Sequence, residues 1–155
     1  MDFSDEFILL HRFDDNPFQL DGYALLRNKD VKQKRFFTRP DFWMNRAIRK
    51  YGIRPKRLSG IKLTNWSDAV HSIAKKVPLI HVEREIMSPD ACWIGIPLNV
   101  DRRNFEIECL STDAKWIGPY SMKTSDVTRI DFDGGYERAL ALTMPKPPAK
   151  SARRS

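Results

Sequence analysis

Cysteine is scarce in this chain. Only Cys92 and Cys109 are present, and they form no disulfide framework and no metal or redox motif, so they read as small reduced hydrophobes. No apolar run approaches the ~20 residues of a membrane-spanning helix, and no membrane partner is expected. The first residues, Met1 to Glu6, are acidic and lack the basic start and apolar core of a signal peptide. A cytoplasmic location is therefore the expectation. Seven glycines are scattered along the chain without a phosphate loop or a Gly-x-Ser-x-Gly turn. No paired catalytic carboxylates stand out, so no enzymatic role and no cofactor is expected.

Histidine is equally sparse. His11 and His71 have no nucleophile or acid at a telling spacing, and His71 reads as a boundary residue of a helix. His81, Glu83 and Glu85 alternate along one strand, but three ligands in a row on a straight strand diverge. They read as a solvent face rather than a metal site. Asp131-Phe132-Asp133-Gly134-Gly135 lacks the alternating acids and terminal Glu of an ion-binding loop. Its Asp-Gly-Gly portion reads as a turn requiring positive φ.

What the chain does have is an uneven charge. The net +7 divides into −4 over residues 1–30, +9 over 31–57, −2 over 58–144 and +4 over 145–155. The body is near neutral, and the basic character sits in one segment and one tail, the usual hint of a polyanionic partner. Within the segment, Lys32, Lys34, Arg35, Arg39, Arg46, Arg49, Lys50, Arg54, Lys56 and Arg57 are interleaved with Phe36, Phe37, Trp43 and Tyr51. Cations with stacking aromatics hold single strands without reading sequence. The competing reading is structural: Trp43, Ala47 and Tyr51 fall at i, i+4, i+8 and suit a buried stripe, with the cations as a solvated face against the acidic N-terminus.

The chain also echoes itself. An offset of 97 maps Ile8, Leu10, Phe13, Leu20 and Tyr23 onto Phe105, Ile107, Leu110, Ile117 and Tyr120, and one deletion brings Asp30, Val31 and Phe36 onto Asp126, Val127 and Phe132. Such repeats fix architecture before chemistry. Strands are expected over 7–13, 19–28 and 31–37, with Asp14-Asp15-Asn16-Pro17 as the first turn. A helix over about 40–51 opens at Pro40-Asp41 and closes at Gly52. A second, over about 65–76, is capped by Thr64 or Asn65 and carries the stripe Trp66, Ala69, Val70, Ile73, Ala74 and Val77.

Beyond Pro78 the period changes from 3.6 to 2. Strands are expected at 80–86, 92–98, 105–110, 115–123 and 127–132, then a short helix over 136–143. Pairing Ile94 with Cys109, Ile96 with Ile107 and Leu98 with Phe105 across an Asn99–Asn104 loop places every apolar residue on one face. Ile94, Ile96, Ile107 and Trp66 are thus expected core residues. Trp93 lies on the opposite face beside Gly95 and Pro97, across from Leu110, and the two form a candidate partner surface.

Helix followed by five short strands, with Ser125-Asp126-Val127 before the last, resembles the SH3-like or Sm-like small barrel over residues 65–132. The Asp-x-x-x-Asn and Arg-Gly motifs of RNA-binding Sm proteins are missing, so the resemblance brings no RNA site. The stretch Ser125-Asp126-Val127-Thr128-Arg129-Ile130-Asp131-Phe132, with Gly134, Gly135, Tyr136 and Ala139-Leu140 after it, resembles a group of small bacterial proteins of no assigned activity. The resemblance implies a duplicated SH3-like module.

The expected fold is thus α+β, mainly β. An abbreviated N-terminal β module covers 1–38, a helical connection 39–78, an SH3-like five-stranded barrel with a short helix 79–143, and a disordered basic tail 144–155. The expected function is a non-catalytic protein-interaction or regulatory module with a protein partner. The alternative is non-specific nucleic-acid binding through Lys32, Lys34, Arg35, Arg54, Lys56, Arg57 and the tail.

Overall fold

A computed structural model describes residues 1–15, 18–35, 39 and 42–148. The expectations resting on Asn16, Pro17, Phe36, Phe37, Pro40, Asp41 and residues 149–155 lie outside the described residues. The elements run β1 (Asp2–Phe3), β2 (Phe7–Asp15), β3 (Phe18–Arg27), α1 (Trp43–Lys50), α2 (Trp66–Ala74), β4 (Ile80–Glu83), β5 (Cys92–Val100), β6 (Asn104–Leu110), β7 (Trp116–Lys123), β8 (Arg129–Phe132) and α3 (Gly135–Thr143). The expected predominance of β structure holds. The strands form one open antiparallel sheet in the order β1-β2-β3-β8-β4-β5-β6-β7. Strand β8 joins the two halves, with Tyr23 and Ile80 flanking Phe132 in register.

Each long hairpin ends in the same device. A 3₁₀ turn follows β3 at Asn28–Asp30 and another follows β7 at Thr124–Asp126. In each, the next valine, Val31 or Val127, donates its N–H to the first residue's carbonyl at 3.3 Å. Asp30 and Asp126 are the last residues of these turns. The second turn feeds β8. After the first, residues 31–35 form no strand, which corrects the expected third strand. Lys32, Gln33, Lys34 and Arg35 are all exposed and give that stretch no face to bury.

Helix α2 forms as its residues dictate. The Asn65 side chain accepts from Asp68 N–H at 2.9 Å, satisfying one of the free donors of the first turn, a cap worth ~1 kcal/mol. Trp66, Ala69, Val70 and Ile73 then bury on the sheet against Phe7, Leu25, Val82, Phe105, Ile107 and Phe132. The opposite face carries a smaller core, in which Leu140 of α3 packs with Leu79, Ile94 and Leu110.

The β5–β6 register departs from expectation by one residue. Gly95 lies opposite Cys109, Pro97 opposite Ile107 and Val100 opposite Phe105, while Ile94 faces Leu110 and Ile96 faces Glu108. Two things cause the shift. Gly95 lets β6 come so close that a Cβ there would lie 1.8 Å from the Glu108 carbonyl oxygen. An irregularity between Pro97 and Asn99 then restores the core face at Val100, and the loop shrinks as the Asp101 carboxylate accepts from the Arg103 and Asn104 N–H groups. Ile94 and Ile96 consequently belong to the smaller core under α3. Ile107→Ala should cost ~2–5 kcal/mol in urea denaturation, whereas the half-buried Ile96→Ala should cost on the order of 1 kcal/mol. Equal losses would restore the expected pairing.

Helix α1 is the other correction. None of its residues is buried, and Trp43 and Tyr51 are 60% and 71% exposed. Helices α2 and α3 already occupy the two faces of the sheet, so the apolar stripe of α1 is no more than half-buried, and that only at Ala47. Its anchor is the ring of Tyr51 against Phe18 at the tip of the β2–β3 hairpin, 4.9 Å between centroids.

Candidate functional site

The basic segment is tied to the N-terminal hairpin by its backbone. Lys56 N–H donates to His11 Nδ1 at 3.0 Å, and the Tyr23 hydroxyl donates to the Lys56 carbonyl at 3.4 Å. His11 stacks on Tyr23, and burial holds its pKa below the usual histidine value, which keeps Nδ1 free to accept. Arg57 pairs with Asp2, Nη2 to Oδ1 at 2.6 Å, and Lys34 Nζ donates to Asn28 Oδ1 at 2.6 Å. Lys32, Lys34, Arg35, Arg54, Lys56 and Arg57 all lie exposed. The structure thus gathers α1 at the hairpin tip and residues 54–57 along its flank. The aromatics Trp43 and Tyr51 stand in solvent among Arg46, Lys50 and Arg54.

Trp93 and Leu110 do not share a surface. The register places Leu110 opposite Ile94 and 5% exposed in the core under α3. Trp93 lies on the other face, half-buried. It stacks on Tyr120 with ring centroids 5.1 Å apart, and the Arg84 guanidinium sits 4.5 Å from its ring centroid. Tyr120 belongs to the edge strand β7. Beside the two rings Gly95, Cys109 and Gly118 lie in register across three strands. That row of small side chains is the one sequence signal pointing to Tyr120 as the neighbour of Trp93.

A third cluster was not legible as a site. Strand β4 ends at Glu83, and α3 covers its polar face, so His81 and Glu83 are half-buried rather than solvated. His81 Nδ1 lies 3.4 Å from Glu137 Oε1, and Nε2 lies 3.7 Å from Glu83 Oε1. Asp131, opposite His81 in register and 2% exposed, binds Arg12 at 2.8 Å and Arg129 at 2.6 Å. Burial pushes the Glu83 carboxyl up. Burial would push Glu137 up too, but the His81 side chain and backbone N–H groups at the start of α3 hold it below the usual range.

The thiols take no part. Burial raises Cys92, with Glu83 and Glu137 adding to the effect, and pushes Cys109 up to about 11. Among the described residues no group of three or more His, Cys, Asp or Glu side chains is placed to hold a metal ion. No helix among them is long and apolar enough to cross a membrane. Comparison with known protein families, curated proteins and solved structures finds no match to this chain.

Proposed function

We propose that this protein binds single-stranded nucleic acid without sequence preference, using residues 32–57 and the C-terminal tail. The observation that carries this reading is the exposure of Trp43 and Tyr51 among exposed cations. Their spacing suited a buried stripe, and burial would have made the segment structural. In solvent they offer faces on which bases stack, at ~1–3 kcal/mol per base, while the cations neutralise phosphate.

Fluorescence anisotropy with a labelled single strand over a salt series tests the reading. Wild type should bind at ~10⁻⁴–10⁻⁶ M near physiological salt, weakening steeply as salt rises. Trp43→Ala with Tyr51→Ala should weaken binding on the order of tenfold or more. Lys32, Lys34, Arg35 and Arg54 changed to Ala should flatten the salt slope. If deleting residues 145–155 removes all binding and the aromatic pair has no effect, the segment is structural and the proposal fails.

A second reading, a protein-interaction module, is favoured by the Arg84–Trp93–Tyr120 stack. Arg, Trp and Tyr are the side chains that dominate binding energy at interfaces, and Tyr120 lies on the edge strand β7. We also read residues 65–132 as an SH3-like module and the β2–β3 hairpin as its abbreviated copy. Supporting this are the run β8-β4-β5-β6-β7 after α2 and the matching 3₁₀ turns.

A further inference from the structure

The contact between α3 and the sheet is built around one histidine. A single apolar side chain of the helix, Leu140, is buried, while Leu142 and Tyr136 are exposed. An apolar groove of about 230 Å³ runs beside that contact, lined by Val77, Pro78 and Leu79 on one side and Ala141 and Leu142 of the helix on the other. Polar contacts therefore carry much of the hold. Asp21 Oδ1 accepts the Gly135 N–H at 2.7 Å at the start of the helix, and Glu137, two residues further on, reaches His81.

The two nitrogens of His81 face two carboxylates. With a proton on Nδ1 toward Glu137, a neutral imidazole presents the bare Nε2 lone pair to Glu83 Oε1. Two acceptors then oppose each other in a half-buried site. The Nε2 atom is buried and has no hydrogen-bond partner among the described residues. One further proton, on Nε2 or on Glu83, relieves the opposition. The surrounding charges sharpen the effect. His81 is faced by Glu83 on β4, Asp131 and Arg129 on β8, Glu137 on α3 and, through Asp131, Arg12 on β2. Cys92 on β5 lies opposite Glu83, and Glu85 pairs with Arg129. Without that proton four carboxylates stand against two guanidinium groups.

We propose that His81 is a proton-operated latch for α3. Protonated, it bridges Glu83 on the sheet and Glu137 on the helix. Deprotonated, it sets Nε2 against Glu83 and loosens the helix from the apolar face formed by Leu79, Ile94 and Leu110. The contribution is present at low pH and lost as pH rises and that proton leaves. At still lower pH Glu137, held below the usual carboxylate range, protonates and the hold weakens again, so docking is strongest at mildly acid pH.

The experiment is amide NMR of residues 135–143 with saturation-transfer measurement of the released-helix population. Between pH ~5.5 and ~8, the range in which histidine ordinarily changes charge, that population should rise on the order of tenfold in wild type. Glu83→Gln supplies an amide donor to neutral Nε2 and should hold the helix docked, with less than about twofold change over the same range. His81→Gln should likewise be flat, and Glu83→Gln, which keeps the histidine in place, decides the question if His81→Gln does not fold. A constant population in wild type, or an unchanged tenfold response in Glu83→Gln, overturns the proposal.

Discussion

Gly95→Ala should lower the thermal midpoint by roughly 10 °C or more, a loss of about 4 kcal/mol. The reason is space rather than conformation, because Gly95 is not among the positive-φ glycines. A Cβ at this position would lie 1.8 Å from the Glu108 oxygen, 2.8 Å from its carbonyl carbon and 3.2 Å from the Cys109 Cα. All three atoms are backbone and none can rotate aside. Relief requires β5 and β6 to move apart, which breaks the pairing that holds Pro97 opposite Ile107. Gly52→Ala is the control. It has positive φ but open space around it, and should cost ~1 kcal/mol. Circular dichroism melts of the two variants make the comparison, and equal midpoints would show that the strands are not in such close contact.

Phe132→Ala should cost ~3–5 kcal/mol, the range for emptying a fully buried phenylalanine site. Phe132 is wholly inaccessible, lies between Tyr23 and Ile80 in register, and stacks on the Tyr23 ring at 5.6 Å. Its loss removes packing on both sides of β8 at once, and Tyr23 in turn braces His11 and Lys56. Urea denaturation measures the effect. A change under ~1 kcal/mol would mean that β8 does not join the two halves as tightly as the register implies.

Helix α2 was legible in the sequence because everything that makes it is local: a capping Asn65, a stripe at 3.6-residue spacing and Pro78 just beyond. Most strands were legible for the same reason, although residues 31–35 form none and β1 was not expected. Register was not legible. Counting apolar matches favours Ile96 opposite Ile107, and the close approach that Gly95 permits leaves no periodic trace. The stripe of α1 shows a different failure. Spacing says which side chains share a helix face, but whether that face is covered depends on a free surface elsewhere, and both faces of the sheet were taken. The charged cluster was hidden by distance. Arg12 and Asp131 lie 119 residues apart, and Asp21 and Gly135 lie 114 apart. His81 and Glu83 show as alternate strand residues, yet nothing nearby in sequence reveals that a later helix roofs them. Tyr120 was missed in the same way, since its partner Trp93 lies two strands across.

The placement of β8 has a consequence for how the chain is made. The β2–β3 hairpin leaves the ribosome well before β8, the strand that completes it, which ends at residue 132. Translation at ~5–20 residues per second leaves roughly 5–20 s in which the β3 edge, and the apolar residues of β2 and β3, wait for their partner. Contacts of such sequence separation also make for slow closure. Nascent β2–β3 is therefore the part of this protein most exposed to premature pairing with other chains and to capture by chaperones. Overexpression at low temperature should raise the soluble yield.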